Sequence, residues 1–577
     1  MSGISESTSQ SVALIGVAQR AWDLALRDFY HPPLPEPIFE NSPDSSSFFY
    51  IDSDSWTVHL NTAGVPVYMD ANEAEPYLRS ICHHEIQHYL LCPFDGVTNG
   101  LMFAAARKHV NDATAMFVCN LFADLVVDSK LLKQYPTLTH DRINATIHES
   151  SLRASTHSPL WTLIVATYRA MWGFPIPSTV VIDEPKFEDA KNIVAVARNA
   201  IDNESRWPRA CEKIAQIIAD WMPQDDDVQL SGMGGGSSKA VYGDGESKSV
   251  ILVPIDVDAV MGNPVETRNG DLARKCINSD SVHDTDAEME RLAVEVENRG
   301  GNLEELEGVY LTAGVGSPRK EWIRFWYRAK ARGVLRIEVV KQKYSGTAPI
   351  TPELWRLGDP IEELDVVQSL QAFPVLIPNK STRKWIKVDS QGTVRSQSLP
   401  DMLLVLDSSG SMTWGVRSKS ISGRFHTALV AAFAAMDVAL RRGARVSVIN
   451  FSDGSRSSEW STNRAVAERI LLSYQGGGTV APVKKIVTAC EAAESQVIAL
   501  LITDAEIANW SKFIDSIDTL TKKGHKPFIF HIGSSTGKRK SKIQRSLEDA
   551  GATVYPLKSV KDLPGLVIRE VRGIYGV

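Results

Sequence analysis

A chain of 577 residues is too long for a single hydrophobic core and predicts two or three domains. With 43% hydrophobic and 23% charged residues it has the composition of a globular protein, which excludes a disordered or fibrous one. A net charge of −7 argues against a general nucleic-acid binder or a binder of anionic membranes.

The first residues, Met1 to Gln10, are polar and serine-rich with no basic run, so no signal peptide is expected. The most apolar stretch, Ala428 to Leu440, contains Asp437 and reads as a core helix, too short and too polar to span a bilayer. Six cysteines (Cys82, Cys92, Cys119, Cys211, Cys276 and Cys490) are scattered without a CxxC pair. That spacing argues against a disulfide scaffold and makes the cytoplasm the expected compartment.

Ser11 to Tyr30 carries an irregular helical pattern, ended by the prolines between Pro32 and Pro37. Phe48 to Leu60 alternates like one or two strands, interrupted at Asp52-Ser53-Asp54. Glu75 to Leu91 then reads as a helix, with Leu78, Ile81 and Cys82 at helical spacing, Asp70 or Asn72 as N-cap and Pro76 in its first turn.

That helix spells His84-Glu85-Ile86-Gln87-His88, an H-E-x-x-H pattern. Histidines four apart leave one face of a helix and can share a metal ion, while Glu85 sits a quarter-turn round, where it can polarise a metal-bound water. A metal held by two histidines needs a third protein ligand and an open position. Asn120, Asp124 and Asp128 form an i, i+4, i+8 stripe on an otherwise apolar helix, and buried carboxylates are costly unless they meet a cation or donors. Asp124 is read as the third ligand and Asp128 as the group that orients a histidine. The reverse assignment stays open, and His109 is a further candidate.

Phe187 to Ile201 and Pro208 to Met222 read as packing helices without chemistry of their own. Asp225 to Lys248 reads as a flexible linker: an acidic run followed by glycine clusters, none of which fits G-x-x-x-x-G-K-[ST]. No nucleotide is expected to bind this chain. An acidic helix near Asp284 to Asn298 follows, then a helix from Glu321 passing into a strand at Val334 to Val340. Short strands are expected near Pro374 to Ile377 and Lys384 to Val388, in a region containing Trp355 and Trp385 whose function is unreadable.

The last third alternates apolar strands (Asp401 to Asp407, Arg445 to Phe451, Gln496 to Thr503, Pro527 to Ile532, Thr553 to Leu557) with helical patterns such as Arg424 to Arg442 and Ala508 to Lys523. This alternation predicts a doubly wound, Rossmann-like sheet with its site at the carboxyl edge. Asp407, Ser409, Ser411, Thr479 and Asp504 all fall at that edge. Hydroxyl and carboxylate oxygens in an incomplete shell suit a hard cation.

D-x-S-x-S with a separate Thr and Asp resembles the metal-ion-dependent adhesion site (MIDAS) of von Willebrand factor A (VWA) domains, over roughly Ser398 to Val577. By that resemblance Ser409, Ser411 and Thr479 offer hydroxyls to Mg²⁺, and Asp407 and Asp504 bind it mainly through water. The family usually has Gly after the last Asp, where this chain has Ala505-Glu506. H-E-x-x-H followed by a helix carrying an acid resembles the gluzincin peptidases, with Asp in place of Glu.

Together the two ends resemble prokaryotic metal-dependent peptidases that carry a VWA-like module, and more loosely the VWA proteins that act with MoxR-type AAA+ ATPases. The resemblance implies an α/β multidomain chain. Residues 1–224 would form a mainly helical, zincin-like α+β metallopeptidase domain, 225–248 a linker, 249–397 an irregular α+β middle region and 398–577 the VWA domain. It implies a zinc endopeptidase (Zn²⁺ on His84, His88 and Asp124, with Glu85 as general base) whose MIDAS binds a protein partner or client. The other class of function is a non-catalytic adaptor that recruits the ATPase, its zinc site structural or vestigial.

Overall fold

The computed structural model describes residues 2–32, 34, 37–41, 49–51, 58–66, 68–153, 158–178, 180–222, 228–231, 249–252, 282–312, 319–341, 352–385, 399–417, 420–504, 507–532, 542–557 and 559–575. They divide into two compact units, one of 1–330 with 414–422 and one of 331–413 with 423–577.

The first unit opens with α1 (Ser2–Asp28), and a small sheet follows from β1 (Ile38–Glu40), β2 (Phe49–Ile51) and β3 (Val58–Asn61). β3 lies in the middle, parallel to β1 and antiparallel to β2, with Leu60 facing both Phe39 and Phe49 in register. β1 had no signal in the sequence reading, and the expected break at 52–54 lies outside the described residues. Helices α2 (Ala71–Leu90), α3 (Gly96–Ala106), α4 (Asp112–Gln134), α5 (Pro136–Arg153), α6 (Pro159–Trp172), α7 (Glu184–Arg198) and α8 (Trp207–Ala219) come next.

Of the two expected N-caps it is Asp70 that caps α2, so the helix begins at Ala71, about a turn ahead of the run from Glu75. The Asp70 carboxylate accepts from the backbone N–H of Asn72 and Glu73, and the Glu73 side chain returns to the Asp70 N–H. Pro76 therefore sits inside the helix rather than in its first turn. α2 packs against α1, α4 and α5. α4 is buried almost throughout: Phe117, Leu121, Phe122 and Leu125 join the core shared with α6, α7 and α8, while Asn120, Asp124 and Asp128 are among its buried polar residues.

Two short strands, β4 (Val228–Ser231) and β5 (Ser249–Leu252), pair in parallel, so β4 is regular structure inside the stretch expected to be linker. Then come α9 (Val282–Asn298), α10 (Leu303–Thr312) and α11 (Arg319–Lys341). α11 corrects the expected strand at 334–340. Its β-branched residues continue a helix already nucleated through Ala329-Lys330-Ala331-Arg332, and extending a formed helix is easier than starting a new element.

α10 crosses α3 at close range. A Cβ on Gly308 would meet the Cβ of Ala104 at 2.6 Å and the Gly100 oxygen at 2.8 Å. Val97 of α3 joins the core formed by Leu306, Tyr310, Trp322 and Phe325, so part of the expected middle region packs with the amino-terminal helices.

In the second unit β6 (Pro352–Leu354), α12 (Val366–Ala372) and β7 (Arg383–Trp385) form a small piece in which Pro374 to Ile377 is not a strand. β8 (Asp401–Asp407) follows, then the hairpin β9 (Gly415–Arg417) and β10 (Ser420–Ser422), which is counted with the first unit. The chain continues through α13 (Arg424–Arg441), β11 (Val446–Phe451), β12 (Ser455–Ser457), α14 (Arg464–Leu471), α15 (Val483–Glu491) and β13 (Val497–Thr503). It ends with α16 (Trp510–Lys522), β14 (Lys526–Ile532), α17 (Lys542–Asp549), β15 (Thr553–Leu557) and α18 (Leu563–Tyr575).

The sheet order is β12-β11-β8-β13-β14-β15, all parallel except the antiparallel edge strand β12. Every residue of β8 and β13 is buried, as a strand covered on both faces requires. α15 and α16 pack on the face carrying Leu403, Val405 and Leu501, while α13 contacts β8 and α18. The chain leaves β8 towards β11 on one side and later returns to β13 on the other, which opens a crevice at the carboxyl ends of β8 and β13. Among the described residues no helix is long and apolar enough to cross a membrane.

Candidate metal centres

His84 and His88 leave α2 one turn apart, and packing of α2 on α4 brings them to Asp124. All three are buried, with exposures of 7%, 1% and 5%. His84 Nε2 lies 3.1 Å from His88 Nε2 and 3.2 Å from Asp124 Oδ1, and His88 Nε2 lies 3.3 Å from the same oxygen. Three ligands at zinc bond lengths of about 2.0–2.1 Å and tetrahedral angles stand about 3.3 Å apart, so this triangle has the dimensions of one face of a zinc tetrahedron.

The other ring nitrogens fix the tautomers. His84 Nδ1–H donates to Asp128 Oδ1 at 2.9 Å, and His88 Nδ1–H donates to the Cys92 carbonyl at 2.8 Å. Both Nε2 atoms then present lone pairs to each other and to a carboxylate. Such a cluster of acceptors is unfavourable unless a cation lies among them, so these residues fit a metal ion, and they are the described group of acids, histidines and cysteines able to hold one. Without a metal, protons do the same work. Burial opposes protonation of His84, yet Asp128 and Asp124 outweigh it and lift the imidazole to about 10. Burial acts to raise Asp124, but its bonds to His84 and His88 hold the carboxyl at about 2.

Asp128 is fully buried, and Arg142 of α5 donates to the same oxygen that receives His84. Asp124 thus faces the Nε2 atoms and Asp128 the far side of the ring. His109 lies elsewhere, beside Gln216 at 3.1 Å and Glu212 at 3.6 Å. Glu85 is half-buried, and burial raises its carboxyl against the lowering effect of His84 and His88. Arg142 escaped the sequence reading because nothing local to it marks a partner on another helix.

On the back of α2, His83 Nε2 meets Asp28 at 2.6 Å and Arg79 grips the same carboxylate at 2.7 Å and 2.9 Å, tying α1 to the metal helix. Sequence reasoning missed this clamp, whose partners lie 51 and 55 residues apart in the chain.

At the sheet edge Asp407 ends β8 and Asp504 follows β13. Asp407 Oδ1 accepts from the Ser409 N–H at 2.9 Å and Oδ2 accepts from Thr503 Oγ1 at 2.6 Å, so Asp407 orders the turn after its strand. Ser409 and Ser411 hydroxyls stand 3.1 Å apart, close to the separation of neighbouring oxygens around a small octahedral cation. Gly410 N–H donates to the Gly477 carbonyl, which draws the 476–479 loop carrying Thr479 to the serine loop.

Asp504 Oδ2 lies 3.3 Å from Arg424 Nη1, while its Oδ1 is buried with no hydrogen-bond partner among the described residues. Burial raises the Asp407 carboxyl, and the Asp504 charge adds to it against three hydrogen bonds. An orphaned buried oxygen, paired hydroxyls and two mutually repelling acids fit a divalent cation. Thr503 and Arg424 were not read from sequence.

No family model matches the chain, and no curated protein does. Among solved structures, the pilus adhesin SpaC from Lactobacillus rhamnosus GG is 12% identical and aligns over 31% of this chain and 31% of its own, with a TM-score of 0.26. The VWA domain of SpRpn10 is 13% identical over 29% of this chain and 93% of that domain, at a TM-score of 0.24. Proximal thread matrix protein 1 from the mussel byssus is 12% identical over 63% of this chain and 79% of its own, also at 0.24. The chain spans about a third of the adhesin.

Proposed function

We propose that this protein is a zinc-dependent endopeptidase whose carboxyl-terminal sheet, read as a VWA domain, engages a protein partner or client through a Mg²⁺-dependent site. The observation that carries the reading is the triangle of His84 Nε2, His88 Nε2 and Asp124 Oδ1 with Glu85 beside it. His84, His88 and Asp124 would hold Zn²⁺, and Asp407, Ser409, Ser411, Thr479 and Asp504 would hold Mg²⁺. Bound zinc supplies Lewis acidity, polarising a peptide carbonyl and making water acidic near neutral pH.

Glu85 would take the proton of the attacking water and deliver it to the departing amine nitrogen, a role suited to a carboxyl whose affinity for protons is raised by burial. Asp128 would hold the His84 ring and Arg142 would hold Asp128.

Glu85→Gln should abolish proteolysis of an unfolded protein such as casein while leaving the zinc content unchanged. A variant that cleaves as well as the wild type, or a wild-type protein that takes up no zinc from replete medium, would remove the hydrolytic reading. The adaptor for a MoxR-type AAA+ ATPase would then stand, favoured by the unpartnered Asp504 Oδ1 at the sheet edge. In that case Asp407→Ala should lose the partner and Glu85→Gln should change nothing.

A further inference from the structure

The sheet-edge site carries its own cation. Arg424, the first residue of α13, places Nη1 3.3 Å from Asp504 Oδ2. Its side chain is 44% exposed, whereas that of Asp504 is 1% exposed, so the guanidinium reaches the buried acid from the solvent side. Both acids of the site, Asp407 and Asp504, are buried, and Arg424 forms an ion pair with Asp504.

Charge counting gives this contact a function. The two buried carboxylates balance a divalent cation; with Arg424 added, the metal-loaded site holds one positive charge more than those buried acids neutralise, while the nearby Asp453, which accepts from the Gly478 N–H, is exposed and screened by solvent. Repulsion between guanidinium and metal weakens binding of the metal alone, and the surplus charge favours an anion bound with it. Resting on the reading of this edge as a divalent-cation site, we infer that Arg424 makes metal and anionic ligand bind cooperatively, holding Asp504 in the metal-free state and adding the charge that draws a carboxylate to the loaded one. A site without Arg424 would be neutral once loaded and would take the metal with little regard to the anion.

The test uses the full-length, zinc-loaded chain titrated with Mn²⁺, free ion being read by electron paramagnetic resonance, in acetate and in chloride at equal ionic strength. The wild type should bind Mn²⁺ more tightly in acetate. Arg424→Gln should bind it roughly threefold to tenfold more tightly than wild type in chloride, the range expected of a half-exposed charge pair, and should lose most of the acetate effect. Arg424→Lys should keep the acetate effect. Unchanged or weaker Mn²⁺ binding by Arg424→Gln, in a protein with the wild-type melting temperature, overturns the inference. Failure of the wild type to bind Mn²⁺, or binding undiminished in Asp504→Asn, removes the metal reading itself and the inference with it.

Discussion

Asp128→Asn separates what one buried carboxylate does for the metal from what it does for the fold. The side chain has no measurable exposure, and its Oδ1 receives both His84 Nδ1–H at 2.9 Å and the Arg142 guanidinium. The amide keeps the shape and can still accept from His84, so the change removes charge more than contact. Loss of a carboxylate behind a ligating histidine lowers metal affinity about 10-fold to 100-fold, or about 1.4–2.7 kcal/mol, and the retained amide oxygen places this variant at the lower end.

The fold should lose more. Arg142, itself 7% exposed, is left buried opposite a neutral group, and breaking such a pair costs about 3–5 kcal/mol. The double variant Asp128→Asn with Arg142→Met removes both charges, so it should regain most of that stability while the zinc affinity stays low. Urea unfolding of the zinc-free protein gives the first quantity, and competition against a chromophoric chelator gives the second. Zinc affinity within about twofold of wild type in the single variant, or recovery of affinity together with stability in the double one, would refute the reasoning.

Gly308→Ala should destabilise the first unit by about 1–3 kcal/mol despite the better helix propensity of alanine, because its methyl would stand 2.8 Å from the Gly100 backbone oxygen; a higher urea midpoint would show that α3 and α10 can part without loss. His525 predicts an acid-labile second unit. Its Nδ1 accepts the Val497 N–H at 3.1 Å, and burial, then the Lys523 charge, holds its folded-state pKa below the unfolded value of about 6.5. The unfolded chain therefore binds the proton first, so the stability is present above about pH 6.5 and is lost as pH falls below it. Urea midpoints at several pH values should fall less steeply on acidification in His525→Asn, and equal slopes would exclude the group.

How much could be read from sequence depended on whether the signal was local. His84 and His88, and Asp124 and Asp128, announce themselves by spacing within one helix, and Asp407 and Asp504 by their place at the carboxyl ends of apolar strand runs. The partners that fix their orientation do not. Arg142 lies 14 residues from Asp128, and Thr503 lies 96 residues from Asp407. In each case the pairing exists only once helices or strands pack. The sheet was legible because fully buried parallel strands leave continuous apolar runs. α11 was misread at 334–340 because the β-branched residues there resemble a strand, while the uninterrupted helix leading into them decided the outcome.

The charge balance of the two candidate centres differs in a way that matches the roles proposed for them. Around the helix site stand three carboxylates, Asp124, Asp128 and Glu85, and one guanidinium, Arg142, a deficit that one divalent cation cancels. The upward shift of His84 to about 10 is that same deficit answered by a proton. Such a site is electrically balanced by the metal alone. Among the described residues at the sheet edge, the buried Asp407 and Asp504 with Arg424 leave a single negative charge, so a divalent cation overshoots these groups and an outside anion completes the balance. A centre satisfied only when a second molecule supplies an acid suits the docking role proposed for it, and one balanced by its own ion suits the hydrolytic role proposed for the other.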